Sequence, residues 1–186
     1  MSFIDSIYEK AKAVKQTIAV PECTNEYMMI ASAKAFHDGM ADIVYVGDPA
    51  EIQAAAEKYG LDIAGIRIVD INNEVYKAEL LDKYEAMPEK VMTRKFVAKR
   101  IGDPLYLATL LEAVGEADGT LAGIDTTTYE FVLAANSIIG MEPGCPTASG
   151  LLILEVPGFD GEQGNCIGMS DGAVCEGTDW IREEIE

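Results

Sequence analysis

Between residues 3 and 139 the sequence switches repeatedly between a helical and a strand periodicity, and this alternation restricts the available folds more than any single motif does. Phe3, Ile4, Ile7, Ala11 and Val14 recur at helical spacing behind Ser2, a suitable N-cap. Residues 17–20 then form a short apolar strand pattern that Pro21 stops. A helix follows over 26–38, with Asn25 as its cap and Gly39 at its C-terminal end, and then a strand over 42–46. Gly47-Asp48-Pro49 opens a helix to about residue 59, and 66–69 is a third strand. Helical patterns cover 74–85, 93–100 and 105–114, the last behind Asp103 as cap and Pro104 in the first turn. Residues 119–123 read as a strand, and a helix begins at Thr126 or Thr127 and runs to about residue 139. Strands separated by helices imply βαβ units. The expected fold of residues 1–140 is therefore an α/β, doubly wound, mainly parallel sheet with helices on both faces.

From residue 141 the pattern changes. Residues 141–150 hold Pro143, Gly144, Pro146 and Gly150 and read as loop. Residues 151–156 form a strongly apolar strand, and 165–169 are its expected neighbour across a Gly/Asp-rich turn. No helix lies between them, so residues 141–186 are expected to be a loop plus the first strands of an incomplete second α/β domain. After Met169 only 17 residues remain, mostly Gly and acids, too few to complete a core that opens at Leu151. The expectation is a chain that stops partway through a domain and associates through the exposed apolar edge near 151–156.

Charge excludes whole classes of partner. The net charge is −18, and it is distributed unevenly: residues 1–100 carry 13 Lys/Arg against 16 Asp/Glu, whereas 101–186 carry Arg182 alone against 16 acids. Nucleic-acid binding needs clustered cations to displace phosphate counterions, and it is not expected here. No apolar run reaches the roughly 20 residues of a membrane helix, and the first residues lack the form of a signal peptide, so a cytoplasmic location is expected. Cys23, Cys145, Cys166 and Cys175 show no metal or disulfide spacing and read as free thiols. His37 is the single histidine, inside a helix beside Phe36, which leaves Cys145 and Ser149 without a visible base and excludes a Cys–His or Ser–His nucleophile. Asp160, Glu162, Asp171, Glu176 and Asp179 lack calcium-loop spacing and read as solvated turn.

Several phrases together resemble one family. Phe3-Ile4, Ala11-Lys12 and Thr17-Ile18-Ala19-Val20-Pro21-Glu22 resemble the first helix and first strand of the phosphate acetyltransferase/phosphate butyryltransferase family. Phe36 and Gly39-Met40-Ala41-Asp42-Ile43-Val44-Tyr45-Val46-Gly47 resemble its second helix and strand, and Leu110-Leu111-Glu112-Ala113-Val114-Gly115-Glu116-Ala117-Asp118-Gly119 the segment entering its glycine-bearing strand. The resemblance runs over essentially the whole chain and about the first half of the family's usual length. It implies a two-domain α/β protein, usually dimeric, that exchanges an acyl group between coenzyme A and inorganic phosphate in a cleft between domains. It also implies a mechanism without an acyl-enzyme: an aspartate helps deprotonate the thiol, and arginines and a serine hold the anionic groups. No cofactor is implied; coenzyme A or acyl-CoA is a substrate.

The same resemblance nominates site residues. After the glycine-bearing strand the family carries Ser-Gly-x-x-His-Ser/Thr-Ser/Thr-x-Asp-Thr-x-Arg-Pro, and residues 122–134 match it in part. Gly123, the hydroxyl pair Thr127-Thr128 and an acid, Glu130, are retained; Thr126 stands at the histidine position and Leu133 at the arginine position, and a second family arginine falls at about Met87. Gly123, Thr126, Thr127, Thr128 and Glu130 are thus the candidate substrate-binding residues. From the residues alone Thr126-Thr127-Thr128 reads first as a plain N-cap, and the resemblance raises an anion-holding helix start to equal standing, although Asp125 and Glu130 would repel a phosphate there. Lys90, Arg94, Lys95 and Lys99, together with Arg100, are either an attractor for the coenzyme A phosphates or a solvated helix face. The family's distal serine, arginine and catalytic aspartate lie beyond the matched portion. Three readings follow: a short or split acyltransferase, a catalytically degenerate binding or regulatory subunit, and a non-functional remnant. The expected state is a homo-oligomer or a complex with a chain that supplies the missing C-terminal half, with little or no activity in the isolated chain.

Overall fold

A computed structural model describes residues 2–145, 148–161 and 164–170. Contacts divide it into two units: Tyr8–Gly140, and residues 2–7 together with the described residues from 141 onward.

The larger unit is built on a four-stranded parallel sheet. Its strands are β1 (Gln16–Val20), β2 (Ala41–Gly47), β3 (Arg67–Asp70) and β4 (Gly119–Thr120), in the order β3-β2-β1-β4. Ile18 stands opposite both Ile43 of β2 and Gly119 of β4, which makes β1 an interior strand, as β2 is between β1 and β3. Side chains alternate along a strand, so a sheet covered on both faces needs apolar residues at every position. Along β2, Ile43 and Tyr45 enter one core with Val20, Met29 and Ile52, while Val44 and Val46 enter the other with Leu80, Leu107 and Leu110. The first core is covered by α2 (Glu26–His37) and α3 (Pro49–Tyr59). The second is covered by α4 (Glu74–Glu85), α5 (Arg94–Arg100), α6 (Pro104–Ala113) and α7 (Thr128–Ile138). α6 is buried from Leu105 to Leu111, which is why its sequence is apolar around the whole circumference. This is the expected doubly wound α/β architecture.

The helix starts follow their caps. Asn25 accepts from the amides of Tyr27 and Met28, Asp48 from those of Ala50 and Glu51, and Asp103 from that of Leu105. β4 is shorter than expected, two residues where the sequence predicts 119–123. The ladder continues only as far as the Leu121 amide, which donates to the Ala19 carbonyl; from Gly123 onward the amides turn away to a side chain described below.

In the second unit β5 (Leu151–Glu155) pairs antiparallel with β6 (Cys166–Ser170), Leu151 opposite Ser170 and Glu155 opposite Cys166. This two-stranded sheet is the pairing read from the sequence. The Glu155 carboxylate accepts from the amides of Phe3 and Ile4 at the start of α1 (Phe3–Ala13), where Ser2 and Asp5 also bond reciprocally. Asp171, Glu176, Asp179 and Cys175 lie outside the described residues, as does Glu162 in the turn. Among the described residues no helix is long and apolar enough to cross a membrane.

Candidate functional site

In an open α/β sheet the ligand crevice forms beyond the carboxyl ends of the strands where the strand order reverses. In Tyr8–Gly140 that point lies between β1 and β4. Pro21 ends β1 and delivers Glu22 into the crevice, where the residue is 8 % exposed. Facing it is the turn from β4 to α7. Oε2 of Glu22 accepts from the amides of Gly123 (3.0 Å) and Ile124 (2.9 Å), and Oε1 from those of Asp125 (3.1 Å) and Thr126 (2.7 Å). Gly123 has φ +121°, a conformation that side-chain-bearing residues rarely adopt, and it starts this run of amides. Burial pushes the Glu22 carboxyl up, but the bonds from Ile124, from the Thr126 hydroxyl and amide, and from Gly123 outweigh it and hold the group below the ordinary carboxylate value.

A second tether comes from α2. Asn25, while capping that helix, donates Nδ2 to both carboxylate oxygens of Asp125, at 3.0 and 3.1 Å. Thr127 is the N-cap of α7 and forms a capping box with Glu130: the Glu130 carboxylate accepts from the Thr127 amide and hydroxyl, and the Glu130 amide donates back to Thr127 Oγ1. These bonds, the Thr127 amide first and its hydroxyl second, hold Glu130 below the usual carboxylate range. Of the three consecutive threonines, Thr126 and Thr127 therefore have internal partners, and Thr128, the first residue of α7, has an exposed hydroxyl with none among the described residues. At the end of β4 the Thr120 hydroxyl is buried with no partner among the described residues.

Beside the turn lies a cavity of about 320 Å³ lined by Asp125, Thr126, Glu130 and Leu133 from the turn and α7, and by Arg100, Asp103 and Tyr106 from the segment joining α5 to α6. Leu133 gives it an apolar wall where the family pattern has arginine. Its one cation is Arg100, whose guanidinium lies 5.4 Å from the ring centres of both Phe96 and Tyr106 and forms no ion pair among the described residues.

The basic residues separate. Lys90, Arg94 and Lys95 line a different cavity, of about 510 Å³, with Glu85 and Thr93. Lys90 also bonds the Glu85 carbonyl (3.0 Å), and Arg94 pairs with Asp82 at 2.6 Å. Lys99 does not line that cavity, which sits at the first turn of α5 and the loop before it. His37 bonds the Asp62 carbonyl, and burial pushes the Cys23 thiol up to about 12, which leaves it protonated and unreactive at neutral pH. Among the described residues no cluster of His, Cys, Asp or Glu is arranged to hold a metal ion.

Glu22, Asn25 and Arg100 were not among the residues the sequence nominated for the crevice. The local signal for Glu22 is its place just after a strand-ending proline, but its four donors lie 101–104 residues away, beyond the reach of any spacing argument.

A parallel sheet wound on both faces, with polar groups gathered at the strand-order reversal, defines a doubly wound α/β domain with its crevice between β1 and β4. The chain belongs to the phosphate acetyl/butaryl transferase family, whose model matches residues 2–177. It is 34% identical over 169 residues to a phosphate acetyltransferase of Clostridium acetobutylicum, covering 88% of this chain and 50% of that relative. To a phosphate acetyltransferase of Acetivibrio thermocellus it is 31% identical over 176 residues, covering 94% and 52%. The chain thus spans about half the length of the curated relatives it matches. The solved EutD phosphotransacetylase from Staphylococcus aureus shares the fold with a TM-score of 0.69 at 23% identity, over 83% of this chain and 47% of that one.

Proposed function

We propose that this chain contributes the first domain of a phosphate acyltransferase that transfers an acyl group between coenzyme A and inorganic phosphate, in a short or split form. Family membership carries the reading. In the reaction the coenzyme A thiol gives its proton to a base as its sulfur attacks the carbonyl carbon of an acyl phosphate, the bond from that carbon to the phosphate oxygen breaks, and phosphate departs. The Arg100 guanidinium and the Tyr106 hydroxyl, which line the cavity beside the turn, and the exposed Thr128 hydroxyl at the start of α7 have hydrogen-bonding capacity left for a substrate oxygen. The cavity around Lys90, Arg94 and Lys95 suits a coenzyme A phosphate by charge. The carboxylates of the crevice, Glu22, Asp103, Asp125 and Glu130, already accept hydrogen bonds from the chain, so the base is expected from the family's other half, in a partner chain.

Thr126 and Leu133 support a second reading, a binding or regulatory subunit that has lost catalysis. Two absent charge-assisted contacts, at Leu133 and Met87, correspond to about 1.5–3 kcal/mol each, or ~10²–10⁴-fold in rate together. The test is phosphate-dependent release of coenzyme A from acetyl-CoA and butyryl-CoA, using residues 1–186 alone and mixed with the C-terminal half of a relative. Activity only in the mixture supports the split enzyme. Activity in neither, with coenzyme A still bound, supports the regulatory subunit. Ordinary turnover by the isolated chain contradicts both readings of an incomplete site.

A further inference from the structure

We infer that Glu22 is a positioning residue acting as the permanent anion of the β4–α7 turn: its carboxylate fills the amides of Gly123, Ile124, Asp125 and Thr126, so a substrate phosphate is held by side chains and not by this turn. The inference does not depend on acyl transfer, and its test reads binding and stability only.

The geometry is that of a bound oxyanion. Four successive amides converge on two oxygens at 2.7–3.1 Å, two amides to each oxygen. Consecutive backbone amides at a helix entrance form a concave anion site, and a free phosphate or carboxylate would present the same pair of oxygens. Here the anion belongs to the chain. Burying a carboxylate is unfavourable unless hydrogen bonds or counter-charge offset the lost hydration. Among the described residues no cation pairs with Glu22, so the offset comes from these amides, the Thr126 hydroxyl and the positive end of α7.

The same arrangement closes the turn to other anions. An incoming phosphate would have to displace a buried, fully bonded carboxylate and would then meet Asp125 and Glu130, the first held by Asn25 and the second by Thr127. No compensating cation enters the turn itself; Arg100 stands in the neighbouring cavity, between Phe96 and Tyr106. The amides of Gly123 through Thr127 are therefore satisfied before any ligand arrives. What a substrate oxygen meets beside them is the Thr128 hydroxyl at the start of α7 and the Arg100 guanidinium in the neighbouring cavity. Gly123 begins the turn and permits its conformation, whereas Glu22 supplies the partner that the conformation requires.

The test uses the 186-residue chain labelled with nitrogen-15, titrated with inorganic phosphate at constant ionic strength, beside Glu22→Ala and Glu22→Gln. In the wild-type chain the four amide signals are expected to stay in place. In Glu22→Ala they are expected to shift saturably with phosphate and with formate. Each anion should also raise the melting temperature of that variant saturably, where chloride at equal ionic strength does not. Glu22→Gln retains one acceptor oxygen and fills the space, and is expected to bind neither anion. Should Glu22→Ala unfold in chloride, formate or phosphate is expected to restore its fold. Saturable shifts of these amides with phosphate in the wild-type chain overturn the inference. So does a Glu22→Ala chain whose amides or fold ignore both anions.

Discussion

β2 and β5 are both strongly apolar strands, yet they have opposite surroundings. β2, with the sequence ADIVYVG, is buried at every position from 43 to 47. β5, with the sequence LLILE, is exposed at its first four positions, Leu151 by 70%. The difference lies in the neighbours. β2 pairs on both sides, with β1 and β3, and helices pack against both of its faces. Among the described residues β5 has one partner, β6, which is itself mostly exposed. Strand hydropathy therefore registers a need for cover without supplying the cover, and a two-stranded sheet alone is marginal in water.

The contrast can be broken most sharply by equal truncations in the two regions. Leu110, fully buried in α6 between the sheet and its helices, should lose about 3–4 kcal/mol on Leu110→Ala, a core-cavity effect. Leu152→Ala in β5, at a residue 56% exposed, should stay within about 0.5 kcal/mol. Urea unfolding of the two variants reads both numbers, and similar losses would erase the distinction. Next in size is Glu22→Gln, which weakens charge-assisted bonds to a buried turn and should lose about 2 kcal/mol at neutral pH. Because folding holds the Glu22 carboxyl below its ordinary value, its stabilisation is fully present above the unfolded value of about 4.3 and is lost as pH falls through the lower folded one. The gap between wild type and Glu22→Gln should therefore shrink on acidification below about pH 4. A constant gap would assign the loss to packing. Thr127→Ala removes the α7 cap and should lose about 1 kcal/mol by thermal unfolding. Lys99→Ala, an exposed change without an ion pair among the described residues, should stay within about 0.5 kcal/mol, and a larger effect would give Lys99 a role in the fold.

How far each region could be read from the sequence follows from the range of the interactions that build it. α4 occupies the expected 74–85, because its cap, Asn73, and its periodicity are both local. The β5–β6 pairing was legible for the same reason, since a short turn joins two apolar runs. The end of β4 was not, because the carboxylate that draws its amides away belongs to Glu22, and the side chain that holds Asp125 belongs to Asn25, both about a hundred residues earlier. The cationic stretch was half legible. Helical spacing puts Lys95 and Lys99 on one face, but the cavity forms at the entry to α5 and takes Lys90, Arg94 and Lys95. Arg100 at the far end of α5 reaches the crevice instead, clamped by Phe96 one turn before it and by Tyr106 of α6. The threonines illustrate a further limit. Their spacing marks a helix start, whereas which hydroxyl remains free depends on Glu22 and Glu130 taking Thr126 and Thr127.

Native-state hydrogen exchange, read residue by residue, tests most directly whether Glu22 joins the β4–α7 turn to the parallel sheet while β5 and β6 stand apart from any such support. The amides of Gly123, Ile124, Asp125 and Thr126 should exchange as slowly as those of Ala19 and Val20 in β1, despite lying outside regular structure. Those of Ile167 and Met169 in β6 should exchange far faster. Turn amides that exchange at the rate of β6 would contradict this picture, since a buried carboxylate that holds four amides cannot leave them open to solvent.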